Sequence, residues 1–579
     1  MKTSIDPNIL AKAQQWLDGP YDEESKAAIR DMIANHPQEL TEAFYRDLEF
    51  GTGGLRGIMG VGSNRMNKYT VGAATQGFAN YLKINFPDKK LLKVAIAHDS
   101  RNNSRYFAQI TADVFSANGI QVYLFEDLRP TPELSFAIRY LGCQGGINIT
   151  ASHNPKEYNG YKAYWEDGGQ LISPHDKNTI AEVNKINGIN EIQFEGNPDL
   201  IQSIGKEVDE AYLKEVKALS LSPEVIQRQK NFKIVYTPLH GTGITLVPKA
   251  LKSYGFESVH IVEEQAIPDG SFPTVKSPNP EESAALEIAI HQAKEMGADL
   301  VMATDPDGDR VGIAVRNGDD FVLLNGNQAA SLLINYLLTK WSENKKLTGK
   351  EFIVKTIVTS ELLVDLAEKY HVEHYDVLTG FKYIADIIKH FEGEKTFIGG
   401  GEESYGYLVG DFVRDKDAVI SCAMLAETAA WAADRGVSMY EMLKDLYVEF
   451  GFYKEKLVSV VRKGKAGAEE IQKMMDDFRA MPPKSLGGSP VVLIKDYFSG
   501  KTTNLVSGEE TSINLPTSNV LQFFTENGSK VSVRPSGTEP KIKFYFGMKE
   551  PLNSRNDFDK VNLQLENKID EIIKELKLA

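Results

Sequence analysis

The sequence predicts an α/β protein of several domains, and three observations carry that expectation. A rhythm of short apolar strands and amphipathic helices begins at Lys93, restarts at Phe232 and restarts again at Phe352. Each pass ends a strand in a polar loop, which is where open α/β sheets present their ligand-binding residues. At 579 residues the chain is too long for a single core, and about 150 residues per domain gives roughly four domains. Three passes facing one cleft, with a less regular tail from the region of Glu455, account for them.

Taken in order, residues 8 to 50 read as helices with polar breaks, in which Trp16, Ile29, Ile33, Leu40 and Phe44 form an apolar stripe. The run Gly51-Thr52-Gly53-Gly54-Leu55-Arg56-Gly57 is not the dinucleotide fingerprint. Its third glycine comes one place late, and no acidic residue follows at the right distance. It is either a plain turn or a loop whose amides and Arg56 approach an anion. In the first pass Val94 to Ala97 reads as a strand, 103 to 118 as a helix, Ile120 to Leu124 as a strand and 132 to 141 as a helix. Gly145-Gly146-Ile147 then reads as a buried strand, followed by a polar turn that ends in Asn154-Pro155. Ser152 is therefore offered on a loop at the carboxyl end of a strand. Asn159-Gly160-Tyr161-Lys162 supplies a turn and a nearby lysine, and a helix follows Ser173-Pro174.

The second pass has a strand from Phe232 to Tyr236, a helix at 244 to 254, a strand at 258 to 262 and a helix at 281 to 296. Its strand Asp299 to Ala303 opens onto Thr304-Asp305-Pro306-Asp307-Gly308-Asp309-Arg310. The third runs from Phe352 to Val358 through helices from 361 and near 381 to 391. Its strand Thr396 to Ile398 ends in Gly399-Gly400-Gly401-Glu402-Glu403-Ser404-Tyr405-Gly406. The tail holds a hairpin around Glu526-Asn527-Gly528. After it come Arg534-Pro535-Ser536-Gly537-Thr538-Glu539-Pro540-Lys541 and a helix with Phe558, Val561, Leu565, Ile569, Ile572 and Leu576 on one face, read as core packing.

A net charge of −15 argues against a general binder of nucleic acid or anionic membrane, while leaving room for a local basic pocket. Cys143 and Cys422 are too few for a disulfide framework or a zinc site and read as buried thiols. Met1 to Leu10 lacks a signal-peptide pattern and no apolar run is long enough to span a bilayer, so a cytoplasmic protein is expected.

The chemistry resides in four stretches. Asp305, Asp307 and Asp309 place three carboxylates within five residues. Such charges repel unless a cation holds them, and all-oxygen ligation suits a hard ion such as Mg²⁺ better than a solvated turn would. An EF-hand fails, because its sixth position would be Arg310 and its twelfth Arg316. Arg534, Ser536, Thr538 and Lys541 are phosphate contacts by type. Glu402, Glu403 and Ser404 suit the hydroxyls of a polyol or an ordinary surface turn. Gly500-Lys501-Thr502 is no P-loop, since Lys495 stands where the first glycine is needed. A Ser-His hydrolase would join Ser152 to His153, but adjacent side chains rarely face each other and no Gly-x-Ser-x-Gly elbow is present.

Thr150 to Pro155, Asp305 to Arg310, Gly401 to Gly406 and Arg534 to Pro540, in that order, resemble the four signature loops of the α-D-phosphohexomutase (phosphoglucomutase/phosphomannomutase) family. The run from Asn159 to Asp176 is similar to the branch containing phosphoglucomutase 2 and the phosphopentomutases. The resemblance implies three related α/β domains with mixed sheets plus a smaller α+β C-terminal domain around a central cleft. On this sequence those would be 1–220 with the phosphoserine, 221–322 with the metal, 323–453 with the sugar site and 454–579 with a phosphate site.

By the same resemblance Ser152 is the phosphoserine nucleophile, and Asp305, Asp307 and Asp309 hold Mg²⁺ together with Ser152. Arg56, His153, Lys162, Arg310 and Lys416 surround the transferring phosphoryl, with Lys162 as general acid/base. Thr379, Gly380 and Lys382 read sugar orientation, Glu402 and Ser404 bind sugar hydroxyls, and Arg534, Ser536, Gly537 and Thr538 hold the non-reacting phosphate. The implied reaction interconverts a sugar 1-phosphate and 6-phosphate, glucose first, with glucose 1,6-bisphosphate as activator and intermediate. The implied partner is a small phosphosugar, with neither nucleic acid nor membrane, and a monomer is expected. Phe381 and Lys543 depart from residues common in other branches, which leaves phosphopentomutase and phosphomannomutase as alternatives. A sensor without activity would be expected to lack Ser152 or the carboxylates, and all are present.

Overall fold

The computed structural model describes residues 5–51, 54–462, 464–536 and 541–578. The chain forms two compact units, one of Met1–Leu324, Phe381–Gly399 and Ser404–Trp431, the other of Asn325–Gly380, Gly400–Glu403 and Ala432–Ala579. The architecture is α/β with mixed sheets.

The first unit begins with helices Pro7–Asp18, Glu23–Asn35 and Pro37–Phe44, the first two capped by the side chains of Asp6 and Asp22. Such caps satisfy amides that a helix start leaves unpaired. Trp16, Ile29, Leu40 and Phe44 are buried in one cluster and Ile33 packs against it, so the apolar stripe is a core seam. A six-stranded sheet follows, in the order Gly54–Ile58, Tyr158–Trp165, Gly145–Ile149, Lys93–His98, Gln121–Phe125 and Ile201–Ile204. Its last four strands are parallel; the first two join antiparallel.

That arrangement corrects two expectations. Asn159 to Lys162 is no turn: it lies inside the strand Tyr158–Trp165, paired on one side with Gly145–Ile149 and on the other with Gly54–Ile58. Gly54 to Gly57 is likewise strand, while Thr52 and Gly53 lie outside the described residues. Alternation of Asn159, Tyr161 and Ala163 with the polar Lys162 was the available strand signal, masked by the Asn-Gly pair.

A second sheet runs Asp320–Leu323, Val311–Asn317, Leu300–Thr304, Lys233–Thr237 and Ser258–Ile261. Leu300–Thr304 is buried throughout and ends at the acidic loop. Thus the loops of Ser152 and of the three aspartates both leave the carboxyl ends of interior strands, as the sequence predicts.

In the second unit, strands Glu351–Thr356 and Glu373–Val377 pair in parallel. The strand starting at Thr396 continues to Gly401 instead of stopping at Ile398. Gly400 explains why a run of glycines stays extended: a Cβ there would lie 2.0 Å from the Val354 carbonyl oxygen. The tail forms an eight-stranded antiparallel sheet. Its hairpin Leu521–Thr525 to Lys530–Pro535 turns where expected, and helix Phe558–Glu575 buries Phe558, Val561, Leu565, Ile569 and Ile572. Cys143 and Cys422 are buried and unpaired. Among the described residues no helix is long and apolar enough to cross a membrane.

Gly160 sits between two backbone segments, and a Cβ there would meet the carbonyl oxygens of Thr150 at 2.5 Å and Leu55 at 2.9 Å. Gly160→Ala is expected to destabilise the first unit by about 1–3 kcal/mol, read as a lower midpoint of its unfolding transition; an unchanged midpoint would refute the packing argument.

Candidate active site

Strand Gly145–Ile149 is buried along its whole length, so the chain leaving it is held at a fixed point. Ser152 takes the left-handed conformation, with φ of 53°, uncommon for a residue with a side chain. Its amide donates to Thr150 Oγ1 at 2.9 Å, and the residue is 4% exposed. Ser152 Oγ donates to Asp305 Oδ2 at 2.9 Å. The serine that the sequence places on one loop and the acid it places on another, 153 residues away, are thus in direct contact.

His153 Nδ1 lies 3.2 Å from the same Oγ, against the expectation that neighbours in sequence would point apart; the left-handed turn at Ser152 brings the two side chains together. Burial, with Arg310 and Arg56 adding to it, pushes the His153 imidazole down to about 3. It is neutral at physiological pH and so can accept or donate a hydrogen bond without carrying charge.

Asp305, Asp307 and Asp309 are buried, and one carboxylate oxygen from each falls within 4.8 Å of the others. Lys162 Nζ lies 2.7 Å from Asp307 Oδ2 and 3.2 Å from Asp309 Oδ2. Lys416 Nζ is 3.1 Å from Asp309 Oδ2. Gly406 leaves room for that lysine, since a Cβ would lie 2.1 Å from its Cδ. Burial pushes all three carboxyls up. At Asp307 and Asp309 the lysines more than offset it, whereas Asp305, with two anionic neighbours, is pushed well above the usual carboxylate range. Burial alone would lower the Lys162 ammonium, but Asp307 and Asp309 raise it, so it is held charged.

Asp307 Oδ1 and Asp309 Oδ1 are buried without a hydrogen-bond partner among the described residues. Buried carboxylate oxygens left in this state are costly unless a cation completes them. With only oxygen donors at hand, the trio fits a hard divalent ion such as Mg²⁺.

Other predicted residues fall into place around these two loops or apart from them. Arg310 Nη1 donates to Glu281 Oε1 at 2.8 Å, and Arg56 Nη1 to Asn154 Oδ1 at 3.1 Å. Ser404 is half-buried in the turn before Tyr405, whose carbonyl accepts from the Val311 amide at 3.0 Å, next to the acidic loop. The Lys382 ammonium lies 5.3 Å from the centre of the Tyr383 ring. In the second unit Glu402 Oε1 accepts from the Gly380 amide at 3.0 Å, and the Thr379 hydroxyl is without a partner among the described residues. Arg534 lies one residue before the end of strand Lys530–Pro535, opposite Lys543, and the Ser536 amide donates to the Lys541 carbonyl at 2.7 Å. Gly537 and Thr538 lie outside the described residues.

Sequence reasoning missed several supporting side chains. The Thr131 amide donates to the Asp307 carbonyl at 2.8 Å and its hydroxyl to Asp307 Oδ2 at 3.0 Å. Asn148 Nδ2 in turn donates to the Thr131 hydroxyl at 2.7 Å. Asp415 orients the second lysine region, accepting from Tyr164 Oη at 2.8 Å and sitting 3.5 Å from Lys416 Nζ. In the second unit Tyr545 is acted on by Glu403, Arg534 and Glu402, burial being the larger influence on its raised hydroxyl. A polar residue inside an apolar strand, as at Asn148, was the one available signal.

Four consecutive family models match the chain: phosphoglucomutase/phosphomannomutase alpha/beta/alpha domain I over residues 47–189, domain II over 210–318, domain III over 325–450 and the C-terminal domain over 457–551. The chain is 38% identical over 539 residues to a phosphoglucomutase of Staphylococcus epidermidis, covering 92% of this chain and 96% of that one. A phosphoglucomutase/phosphomannomutase family protein from Burkholderia thailandensis superposes with a TM-score of 0.65 at 17% identity, over 91% of this chain and 97% of that one. The open form of parafusin, a phosphoglucomutase from Paramecium, gives 0.66 at 19% identity, over 91% and 96%. At such identities the two structures speak to the fold, which is a four-domain α/β architecture.

The charge pattern has a measurable consequence. Lys162→Met removes one partner from a buried ionic cluster and is expected to destabilise the protein by about 3–5 kcal/mol. Millimolar Mg²⁺ should recover more stability in the variant than in the wild type, measured as the shift in thermal midpoint. Equal shifts in both would mean that the lysine and the cation do not share the carboxylates.

Proposed function

We propose a catalytic cycle for this chain, which belongs to the phosphoglucomutase/phosphomannomutase family and is a sugar-phosphate mutase. Ser152, carried as a phosphoserine, is the phosphoryl donor, and glucose 1-phosphate and glucose 6-phosphate are the pair it interconverts. The observation that supports this reading is the 2.9 Å contact between Ser152 Oγ and Asp305, which sets a nucleophilic hydroxyl against a cation-binding trio. The preference for glucose is supported by the similarity to a protein named phosphoglucomutase over most of the chain. We take residues 1–220, 221–322, 323–453 and 454–579 as the four domains.

Phosphoryl transfer is limited by charge, and its catalysis comes mostly from positioning and electrostatic stabilisation. Mg²⁺ bound by Asp305, Asp307, Asp309 and the Ser152 phosphoryl group would neutralise charge on the group in flight. Arg310 and Arg56 add guanidinium donors, and Lys416 holds Asp309 in place. A lysine held charged by carboxylates rests as an acid, so Lys162 delivers a proton to Ser152 Oγ as the phosphoryl departs and recovers one from the attacking sugar hydroxyl; in the return step it takes the Ser152 proton and gives one to the departing sugar oxygen. His153, kept neutral, steers the Ser152 hydroxyl without adding charge.

The phosphoryl passes from Ser152 to the free hydroxyl of the sugar monophosphate, giving glucose 1,6-bisphosphate, and Ser152 recovers a phosphoryl from the other end. Glu402 and Ser404 bind sugar hydroxyls, Thr379, Gly380 and Lys382 read the ring's orientation, and Arg534, Ser536, Gly537 and Thr538 grip the phosphate that is not reacting.

Ser152→Ala is expected to bring turnover to the assay background with an unchanged circular dichroism spectrum; substantial activity would refute the phosphoserine. On a panel of glucose, mannose and ribose 1-phosphates, the glucose ester should give the highest kcat/KM, and a ribose optimum would make the protein a pentomutase. Chelation with EDTA should abolish turnover and added Mg²⁺ restore it, whereas full activity in chelator would refute the metal.

A further inference from the structure

Arg101 is 3% exposed, too deeply placed to reach a sugar, yet its guanidinium meets the Ser152 loop at four points. Nη2 donates to the carbonyls of Ser152 at 2.6 Å and Asn154 at 2.5 Å, and Nη1 to those of Pro155 at 2.9 Å and Tyr158 at 3.2 Å. The arginine is itself fixed from below. Its Nε lies 3.3 Å from Asp99 Oδ2, its amide donates to Asp99 Oδ1 at 2.9 Å, and Ser104 Oγ donates to that same oxygen at 2.6 Å. The Phe272 ring covers the guanidinium at 5.1 Å. Gly270 lets the backbone close over this segment, since a Cβ there would lie 2.3 Å from the Asn102 amide nitrogen.

The loop needs such a clamp. Its own backbone bonds between residues 151 and 158 are few: the Asn154 amide to the Ala151 carbonyl and the Tyr158 amide to the Pro155 carbonyl. Ser152 is left-handed, a conformation that is unfavourable for a residue with a side chain and persists only where its surroundings impose it. The planar fork of a guanidinium can satisfy several acceptors at fixed angles; an ammonium radiates its donors from one point and cannot span them. The clamp also turns carbonyl oxygens, the negative ends of peptide dipoles, onto a buried cation, in a loop that must carry a phosphoryl dianion.

We infer that Arg101 is a positioning residue for phosphoryl transfer: by gathering four loop carbonyls it holds Ser152 Oγ in line with the acidic trio. The inference rests on Ser152 being the phosphoryl carrier. It goes beyond the residues assigned to the cycle, because Arg101 touches neither substrate nor reacting atoms.

Arg101→Lys, which keeps the charge and loses the fork, is the primary test, with Arg101→Ala as the second variant. Full-length wild type and variants, saturated with Mg²⁺ and treated with glucose 1,6-bisphosphate, are compared by intact mass and peptide mapping for phosphoserine at position 152, and by steady-state kinetics. The expected result for Arg101→Lys is a fall in kcat of about 10²-fold, the scale of a misplacement of about 1 Å, with KM for the sugar phosphate unchanged and phosphoserine formed more slowly. Guanidinium ion should restore part of kcat to Arg101→Ala and none to Arg101→Lys, whose ammonium fills the space. A folded Arg101→Lys with wild-type kcat overturns the inference. So does a fall in kcat with KM rising in proportion and no rescue of the alanine variant, or failure of the lysine variant to fold, which would assign Arg101 to stability alone. An unphosphorylated Ser152 in the treated, active wild type overturns the underlying carrier reading instead.

Discussion

Burying three carboxylates on one short loop is the constraint from which the first unit takes its shape. Two unit charges about 4 Å apart near a protein surface interact with roughly 4 kcal/mol, so Asp305, Asp307 and Asp309 could not be brought together without cations supplied to the same place. The chain delivers them from separate elements: Lys162 from the strand Tyr158–Trp165 and Lys416 from the segment preceding helix Ala418–Asp434. The antiparallel strand after the serine loop therefore does more than extend a sheet, since its pairing with Gly145–Ile149 carries an ammonium to the acidic loop.

The same compensation explains how one loop can serve both stability and chemistry. Lysines neutralise part of the trio, yet Asp307 and Asp309 each retain a buried oxygen without a hydrogen-bond partner among the described residues. A fully satisfied network would be stable and inert; a wholly unsatisfied one would not fold. Partial satisfaction leaves coordination capacity for a hard cation, and Ser152 Oγ already stands at hydrogen-bond distance from the third carboxylate.

Much of this was legible in the sequence because strand ends in open sheets are where function collects. The loops of Ser152 and of the aspartates announced themselves by a run of acids and by a polar turn after apolar strands. What stayed hidden depended on contacts between distant positions. Asn-Gly at 159–160 read as a turn by local propensity, and only the pairing of its strand on both sides overrides that. The Ser152–His153 contact follows from one backbone torsion that no composition reveals. Arg101 follows Asp99 at the end of a strand, a position of the same kind as the others, but its partners lie more than fifty residues on. Thr131 stands just before the helix read at 132 to 141, and nothing in its neighbours marks it as a bridge to Asp307. Gly537 and Thr538 lie outside the described residues.

Thr131 has a consequence for how the protein comes apart. One hydroxyl bridges Asn148, in the strand that precedes the serine loop, and Asp307, in the acidic loop, through bonds of 2.7 and 3.0 Å with every participant buried. The serine loop and the acidic loop are thus stitched across the boundary between successive sheets of the first unit. Neither sheet can loosen on its own without taking from a buried carboxylate one of its two donors, so the two loops should melt as a single cooperative block, with no half-assembled species in which the serine loop faces open water.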